Sequence, residues 1–183
     1  MANSAEFRPS ELVRLLSKAS VDYVVVGGVA VVVQAHARFT DDLDICYATD
    51  RANLSRLGEV LLQLGATLRG IEVDVPFVPD GPTLRGTQIL CLNTPFGGLD
   101  LLARPQGAPR YERLCARAEV VDIAGVQVPV ASIDDMLAMK RAAGRPQDLI
   151  DIDALEIARR RRRGRTRPTA PAAGPTPRRA QPL

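Results

Sequence analysis

The chain has 183 residues, of which 46% are apolar, 25% charged and 4% aromatic, with no Trp. That is enough for one domain with a proper core, and the core must be built from Val, Leu, Ile and Ala. The formal net charge of +3 joins two unlike parts: residues 159–183 hold nine arginines and no acid, so residues 1–158 carry −6. An acidic body makes the overall basicity a poor argument for nucleic-acid binding by the body itself. Cys46, Cys91 and Cys115 lie far apart, which argues against a disulfide scaffold or a paired-cysteine metal site; they read as buried free thiols. The N-terminus lacks the basic start and apolar run of a signal peptide, and the most apolar stretch, Val24 to Ala35, is too short to cross a bilayer. No membrane association and a cytoplasmic location are expected.

In chain order, Ser10 is a good N-cap for a helix to about Ala19, with Leu12, Leu15 and Leu16 as its apolar stripe. Tyr23 to Val26 reads as a short apolar strand ended by Gly27-Gly28, with a helix over Val29 to Ala37 and a second strand over Leu43 to Tyr47. Asp50 caps a helix with Leu54, Leu57, Val60, Leu61 and Leu64 at helical spacing, closed by Gly65. Leu68 to Val78 alternates like a strand, and Pro79-Asp80-Gly81-Pro82 reads as a turn. Strands follow at Gln88 to Leu92 and Leu99 to Ala103, then a short helix at Pro109 to Arg117. Val120 to Ile123 and Val126 to Val130 form a hairpin about Ala124-Gly125. Ser132 opens a capping-box helix, Gly144 and Pro146 break it, and a last helix runs from Pro146 to about Arg162, with Leu149, Ile152, Leu155 and Ile157 apolar. The remainder, rich in Arg, Pro and Ala, cannot bury enough surface to fold. The expectation is one α/β (α+β) domain over 1–163, with a sheet-containing part over about 1–130, helices over 131–163, and a disordered basic tail over 164–183.

The most informative segment joins Gly27-Gly28 to Arg38-Phe39-Thr40-Asp41-Asp42-Leu43-Asp44. Asp42 and Asp44 are two apart, so on a strand their carboxylates face the same way. Adjacent carboxylates repel unless a cation lies between them, and hard oxygens suit Mg²⁺ or Mn²⁺ shared with substrate phosphates. A third carboxylate is sought on a neighbouring strand. In Ile71-Glu72-Val73-Asp74-Val75 the acids alternate with apolar residues, and Asp74 is preferred for its short side chain, with Glu72 as the alternative. Gly27-Gly28 follows a strand and opens a helix, so its amides can approach a phosphate. It matches neither the dinucleotide fingerprint nor a P-loop. His36 is the sole histidine, which argues against histidine acid–base chemistry and zinc hydrolysis.

Strand-Gly27-Gly28-x-Ala30, followed by Arg38-x-Thr40-x-Asp42-Leu43-Asp44, resembles the nucleotidyltransferase superfamily of the DNA polymerase β type, and within it the AbiEii-like toxins of bacterial toxin–antitoxin systems. A second stretch, Ser132-x-x-Asp135-x-x-Ala138-x-Lys140 and Arg145-Pro146-x-Asp148-Leu149-x-Asp151, resembles the signature of its C-terminal half. The likeness spans about residues 10–157. It implies a nucleotidyltransferase fold: a mixed central sheet flanked by helices, with a helical C-terminal part. It further implies that Gly27 and Gly28 hold triphosphate, Asp42, Asp44 and Asp74 bind metal, Lys140 contacts phosphate, and Asp148 orients that lysine or the acceptor. Arg38 could grip phosphate or a carboxylate, and Thr40 could lend a hydroxyl. The usual Gly-Ser is Gly27-Gly28 here, without its hydroxyl.

The implied activity is metal-dependent transfer of a nucleoside monophosphate from an NTP to an RNA 3′ hydroxyl. The implied acceptor is the end of tRNA, which would block translation, and a cognate antitoxin would be the partner. Nucleotidylation of a protein or a small molecule is the alternative within the enzyme class. A non-catalytic nucleic-acid or protein-binding module, using the run Arg159 to Arg163, is the alternative outside it.

Overall fold

The computed structural model describes residues 6–35, 38–70 and 77–165. His36 and the alternating segment with Glu72 and Asp74 therefore lie outside the described residues, as do residues 166–183 of the basic tail. The structure is a mixed α/β fold in which, among the described residues, seven strands form one sheet flanked by helices.

Helix α1 (Pro9–Lys18) buries Leu12, Val13 and Leu16. It starts two residues earlier than the Ser10 cap implies, with Arg8 at the cap position and Pro9 in the first turn, where a proline's fixed φ and missing N–H cost nothing. Strand β1 (Tyr23–Val26) is wholly buried and runs directly into helix α2 (Gly27–Gln34). Strand β2 (Asp42–Tyr47) returns antiparallel to β1, with Val26 opposite Asp44. In α3 (Arg51–Gln63) the Asp50 carboxylate accepts the Asn53 N–H, the expected cap.

Strand β3 covers only Thr67–Leu68. The expected strand from Leu68 to Val78 is interrupted at once by an Arg69-Gly70 turn, where Gly70 takes φ +79°, and Phe77 and Val78 are not in a strand either. The expected Pro79–Pro82 turn is instead the lead into α4 (Gly81–Gly86), whose cap Asp80 accepts the Thr83 N–H. Pro82 is tolerated there because it stands in the first turn. Strands β4 (Ile89–Thr94) and β5 (Gly97–Leu102) form an antiparallel pair. Helix α5 (Tyr111–Arg117) precedes the hairpin of β6 (Glu119–Ile123) and β7 (Val126–Val130). Helix α6 (Ile133–Ala143) is capped by Ser132 and ended by Gly144 at φ +64°, and α7 (Pro146–Arg165) packs against it.

The strand order is β3-β4-β5-β2-β1-β7-β6. Neighbours are antiparallel except β2–β5 and β1–β7, which are parallel. The central strands bury Val24, Val25, Leu43, Ile45, Leu99 and Leu101 completely. Alternation along β2 and β5 puts Leu43, Ile45, Leu99 and Leu101 on one face and Asp42, Asp44 and Asp100 on the other. Helix α7 departs from its apolar reading: it buries Asp148, Asp151 and Leu155, while Leu149, Ile150 and Ile157 are exposed. Of the cysteines only Cys46 is buried; Cys91 is half-buried and Cys115 exposed. Among the described residues no helix is long and apolar enough to cross a membrane.

Candidate functional site

One row of residues crosses the sheet at the level of the acids. Register pairs Val26 with Asp44, Asp44 with Asp100, and Asp100 with Cys91. The row continues to Arg69, whose N–H donates to the Cys91 carbonyl at 2.8 Å. Asp44 and Asp100 thus stand side by side on parallel strands, and Asp42 is two residues before Asp44 on the same face. The residue that sequence reasoning did not single out is Asp100. Its signal was a lone acid inside the apolar run Leu99-Asp100-Leu101-Leu102.

The two glycines of the β1–α2 junction shape the seat of Asp44. Gly27 takes φ +61°, and a Cβ there would fall inside the Asp44 carboxylate. The Gly28 N–H donates to Asp44 Oδ2 at 3.2 Å. A Cβ at Gly28 would overlap Thr40 Oγ1 and stand 2.8 Å from Arg38 Nη2. Gly27 is therefore called for by its backbone angle and by the close approach of Asp44, and Gly28 leaves room for Thr40 and Arg38. Thr40 Oγ1 in turn donates to Asp42 Oδ1 at 3.3 Å.

These groups line a cavity of 230 Å³ together with Phe39, Asp41, Lys140, Arg145, Gln147 and Asp148. It adjoins a second, more apolar cavity of 310 Å³ that shares Gly27, Asp44, Lys140 and Arg145 and includes Ile89, Leu102, Met136 and Met139. A larger cavity of 690 Å³, between α3 and α4, has none of these three acids in its lining.

On the helical side the ionic groups alternate in sign. Arg38 Nε lies 3.2 Å from Asp151, Lys140 Nζ lies 2.9 Å from both Asp151 and Asp148, and Arg145 Nε lies 3.0 Å from Asp148. Asp148 and Asp151 reach one lysine because three residues of helix bring them to the same face. Lys140 is 4% exposed, so it is a buried cation rather than a surface lysine with a hydrated head. The Asp151 oxygens are held by charge alone, without an aligned hydrogen bond.

Burial, with repulsion from Asp42, pushes the Asp44 carboxyl up to about 6, against the pull of the Gly28 N–H. Burial also raises Asp100, opposed by the Arg69 guanidinium beside it. Burial alone would raise Asp148, but hydrogen bonds from Arg145 and Lys140 outweigh it and pull the carboxyl down to about 2.

Of the expected site residues, Gly27, Gly28, Arg38, Thr40, Asp42, Asp44, Lys140 and Asp148 share one cavity lining. The donor chemistry of Asp42, Asp44 and Asp100, three carboxylates on one face, suits a hard divalent cation. Among the described residues no group of three His, Cys, Asp or Glu is arranged to hold a metal. In the same row Arg69 Nη2 bonds to Asp100 Oδ1 and lies 3.5 Å from Asp42 Oδ2.

No family model matches the chain, nor does the sequence of any curated protein. Solved structures do match. The lincosamide antibiotic adenylyltransferase LnuA, lincomycin-bound, is 16% identical over 84% of this chain and 98% of its own, with a TM-score of 0.57. ANT(2")-Ia in complex with adenylyl-2"-tobramycin is 17% identical over 86% of this chain and 95% of its own, with a TM-score of 0.51. An antigenic nucleotidyltransferase-like protein from Paracoccidioides brasiliensis is 22% identical over 80% of this chain and 72% of its own, with a TM-score of 0.51. At these identities the likeness is one of fold. The chain has the fold of the nucleotidyltransferases.

Proposed function

We propose that the chain is a nucleotidyltransferase that moves a nucleoside monophosphate from an NTP to an RNA 3′ hydroxyl, with the tRNA acceptor end as substrate and growth arrest as the outcome. The observation that carries the chemistry is the juxtaposition of Asp42, Asp44 and Asp100 with the Gly27-Gly28 turn, in a cavity whose other wall holds Lys140, Arg145 and Arg38. The RNA acceptor, the toxin role and a cognate antitoxin rest on the sequence resemblance.

Asp42, Asp44 and the third acid, for which Asp100 is the choice here, would hold Mg²⁺ or Mn²⁺. Such a cation offsets charge on the reacting phosphate and lowers the pKa of a bound hydroxyl. The chain's own groups do the rest. The α2 N-terminus and the Arg38 guanidinium face the triphosphate, with the Thr40 hydroxyl in the space that a side chain at Gly28 would fill. Asp100, raised by burial, takes the proton of the acceptor hydroxyl. The hydroxyl oxygen bonds to the α-phosphorus as the bond to pyrophosphate breaks, and Lys140 and Arg145 balance the charge on the leaving group. Asp148 and Asp151 hold the Lys140 amine in place.

A small hydroxylated acceptor is the second reading. It is favoured by the 310 Å³ cavity beside Asp44. Two of the fold relatives were also solved with lincomycin or adenylyl-2"-tobramycin. The test is purified protein with Mg²⁺, each α-labelled NTP and total RNA, resolved on a denaturing gel. Label in a tRNA-sized band, lost with Asp44→Ala, is the expected result. Label in protein or in a small product moves the acceptor, and no transfer to any acceptor overturns the reading.

A further inference from the structure

Arg69 does not belong to either stretch that carries the family resemblance, yet it is built into the acidic row. Its backbone is fixed at the end of β3 by the N–H bond to Cys91, beside the Leu68–Leu92 register pair. From there its side chain crosses Cys91 and β5 to reach the acids. Nη2 bonds to Asp100 Oδ1 and approaches Asp42 Oδ2 at 3.5 Å. The other Asp100 oxygen accepts from Cys91 Sγ at 3.3 Å. The guanidinium also has a made-to-measure seat. A Cβ at Gly98, the register partner of Asp42, would overlap Arg69 Nη1 and stand 2.9 Å from Asp42 Cβ.

From this geometry we propose that Arg69 is a tethered counter-ion that occupies the space between Asp42 and Asp100 in the metal-free protein and competes there with the divalent cation. The proposal rests on the metal-site reading above. Carboxylates crowded on one sheet face need a positive charge between them. An arginine provides it at the cost of holding two of the three prospective ligands. Cation binding then requires the guanidinium to leave Asp42 and Asp100, and its tether at Cys91 keeps it within reach. Arg69 is a positioning residue on this account and not a catalytic one.

The experiment is Mn²⁺ titration of the full chain followed by the electron paramagnetic resonance of free Mn²⁺, for the native protein, Arg69→Gln and Asp44→Ala. Arg69→Gln should bind Mn²⁺ about tenfold more tightly than the native protein, as expected when a competing charge-assisted contact is removed. It should also melt at lower temperature without metal, with the gap closing as Mn²⁺ is added. Asp44→Ala should lose the binding. A merely structural arginine would not tighten the metal when removed, so equal or weaker binding by folded Arg69→Gln overturns the counter-ion. Uptake of Mn²⁺ by neither protein overturns the metal reading along with it. A second measurement needs no variant: the Arg69 Nε–Hε resonance should move toward its solvent-exposed position on addition of Mg²⁺. A resonance that stays put while Mg²⁺ binds overturns the proposal in the native protein.

Discussion

Gly27 shows how a single residue type can serve backbone and chemistry together. Its positive φ is costly for any side chain, by about 1–2 kcal/mol in the left-handed region. The larger effect is steric, because a Cβ there would displace the Asp44 carboxylate. Gly27→Ala should therefore lower the melting temperature and abolish nucleotide transfer, the second loss exceeding what the first explains; calorimetry and the labelling assay on the same preparation measure both. Asp148 makes the pH prediction at this scale. Its carboxyl lies at about 2 in the folded chain and near 3.9 when unfolded, so the unfolded chain binds the proton more readily. The stabilisation, about 2–3 kcal/mol, is complete above about pH 5 and is lost as pH falls through about 2. Urea midpoints of the native protein and Asp148→Asn should accordingly converge between pH 5 and pH 2. The groups facing Asp148 are Lys140 and Arg145, and Asp151 shares the lysine.

Elements matter here for the faces they present. Helices α6 and α7 meet through an apolar contact and through the buried Lys140–Asp148–Asp151 cluster. Replacing one member of a buried ion cluster strands the others, which typically costs about 3 kcal/mol or more. Lys140→Met should thus destabilise the chain by that order in urea unfolding and loosen α7, seen as faster amide exchange over Pro146–Arg165. Much of this was legible in the sequence. The strand Tyr23–Val26, the caps Asp50 and Ser132 and the hairpin at Ala124-Gly125 follow from local rules, and each is present. The buried face of α7 was legible only in part: the family resemblance tied Asp148 to Lys140, but gave Asp151 no partner, and its partners stand on α6 and before β2. Asp100 was missed for a related reason. It sits two strands from the edge in sheet order, next to β2 only through a parallel pairing that no sequence spacing announces.

At the scale of the molecule, the charge split is partly resolved by the fold. Arg159 pairs with Asp134, Arg160 with Glu156, and Arg162 with Glu119, so the arginine run expected to meet RNA begins as the docked end of α7. On this account residues 164–183 supply the remaining non-specific attraction. Their removal should weaken RNA binding and flatten its salt dependence, with log K against log salt losing about 0.7 per neutralised phosphate of single-stranded RNA. Turnover at saturating RNA should be unchanged. A salt titration of both forms, followed by filter binding, measures this.

The central claim is that the carboxylates of β2 and β5 form one catalytic site with the Gly27-Gly28 turn. Its most direct measurement is the initial rate of pyrophosphate release from NTP, with Mg²⁺ and total RNA, for the native chain against Asp100→Asn, with Asp74→Asn alongside. The account predicts steady release by the native chain, a loss of about 100-fold or more in Asp100→Asn, the range for removing a general base, and little change in Asp74→Asn. Release at the native rate from Asp100→Asn, above all if Asp74→Asn abolishes it, would contradict the account.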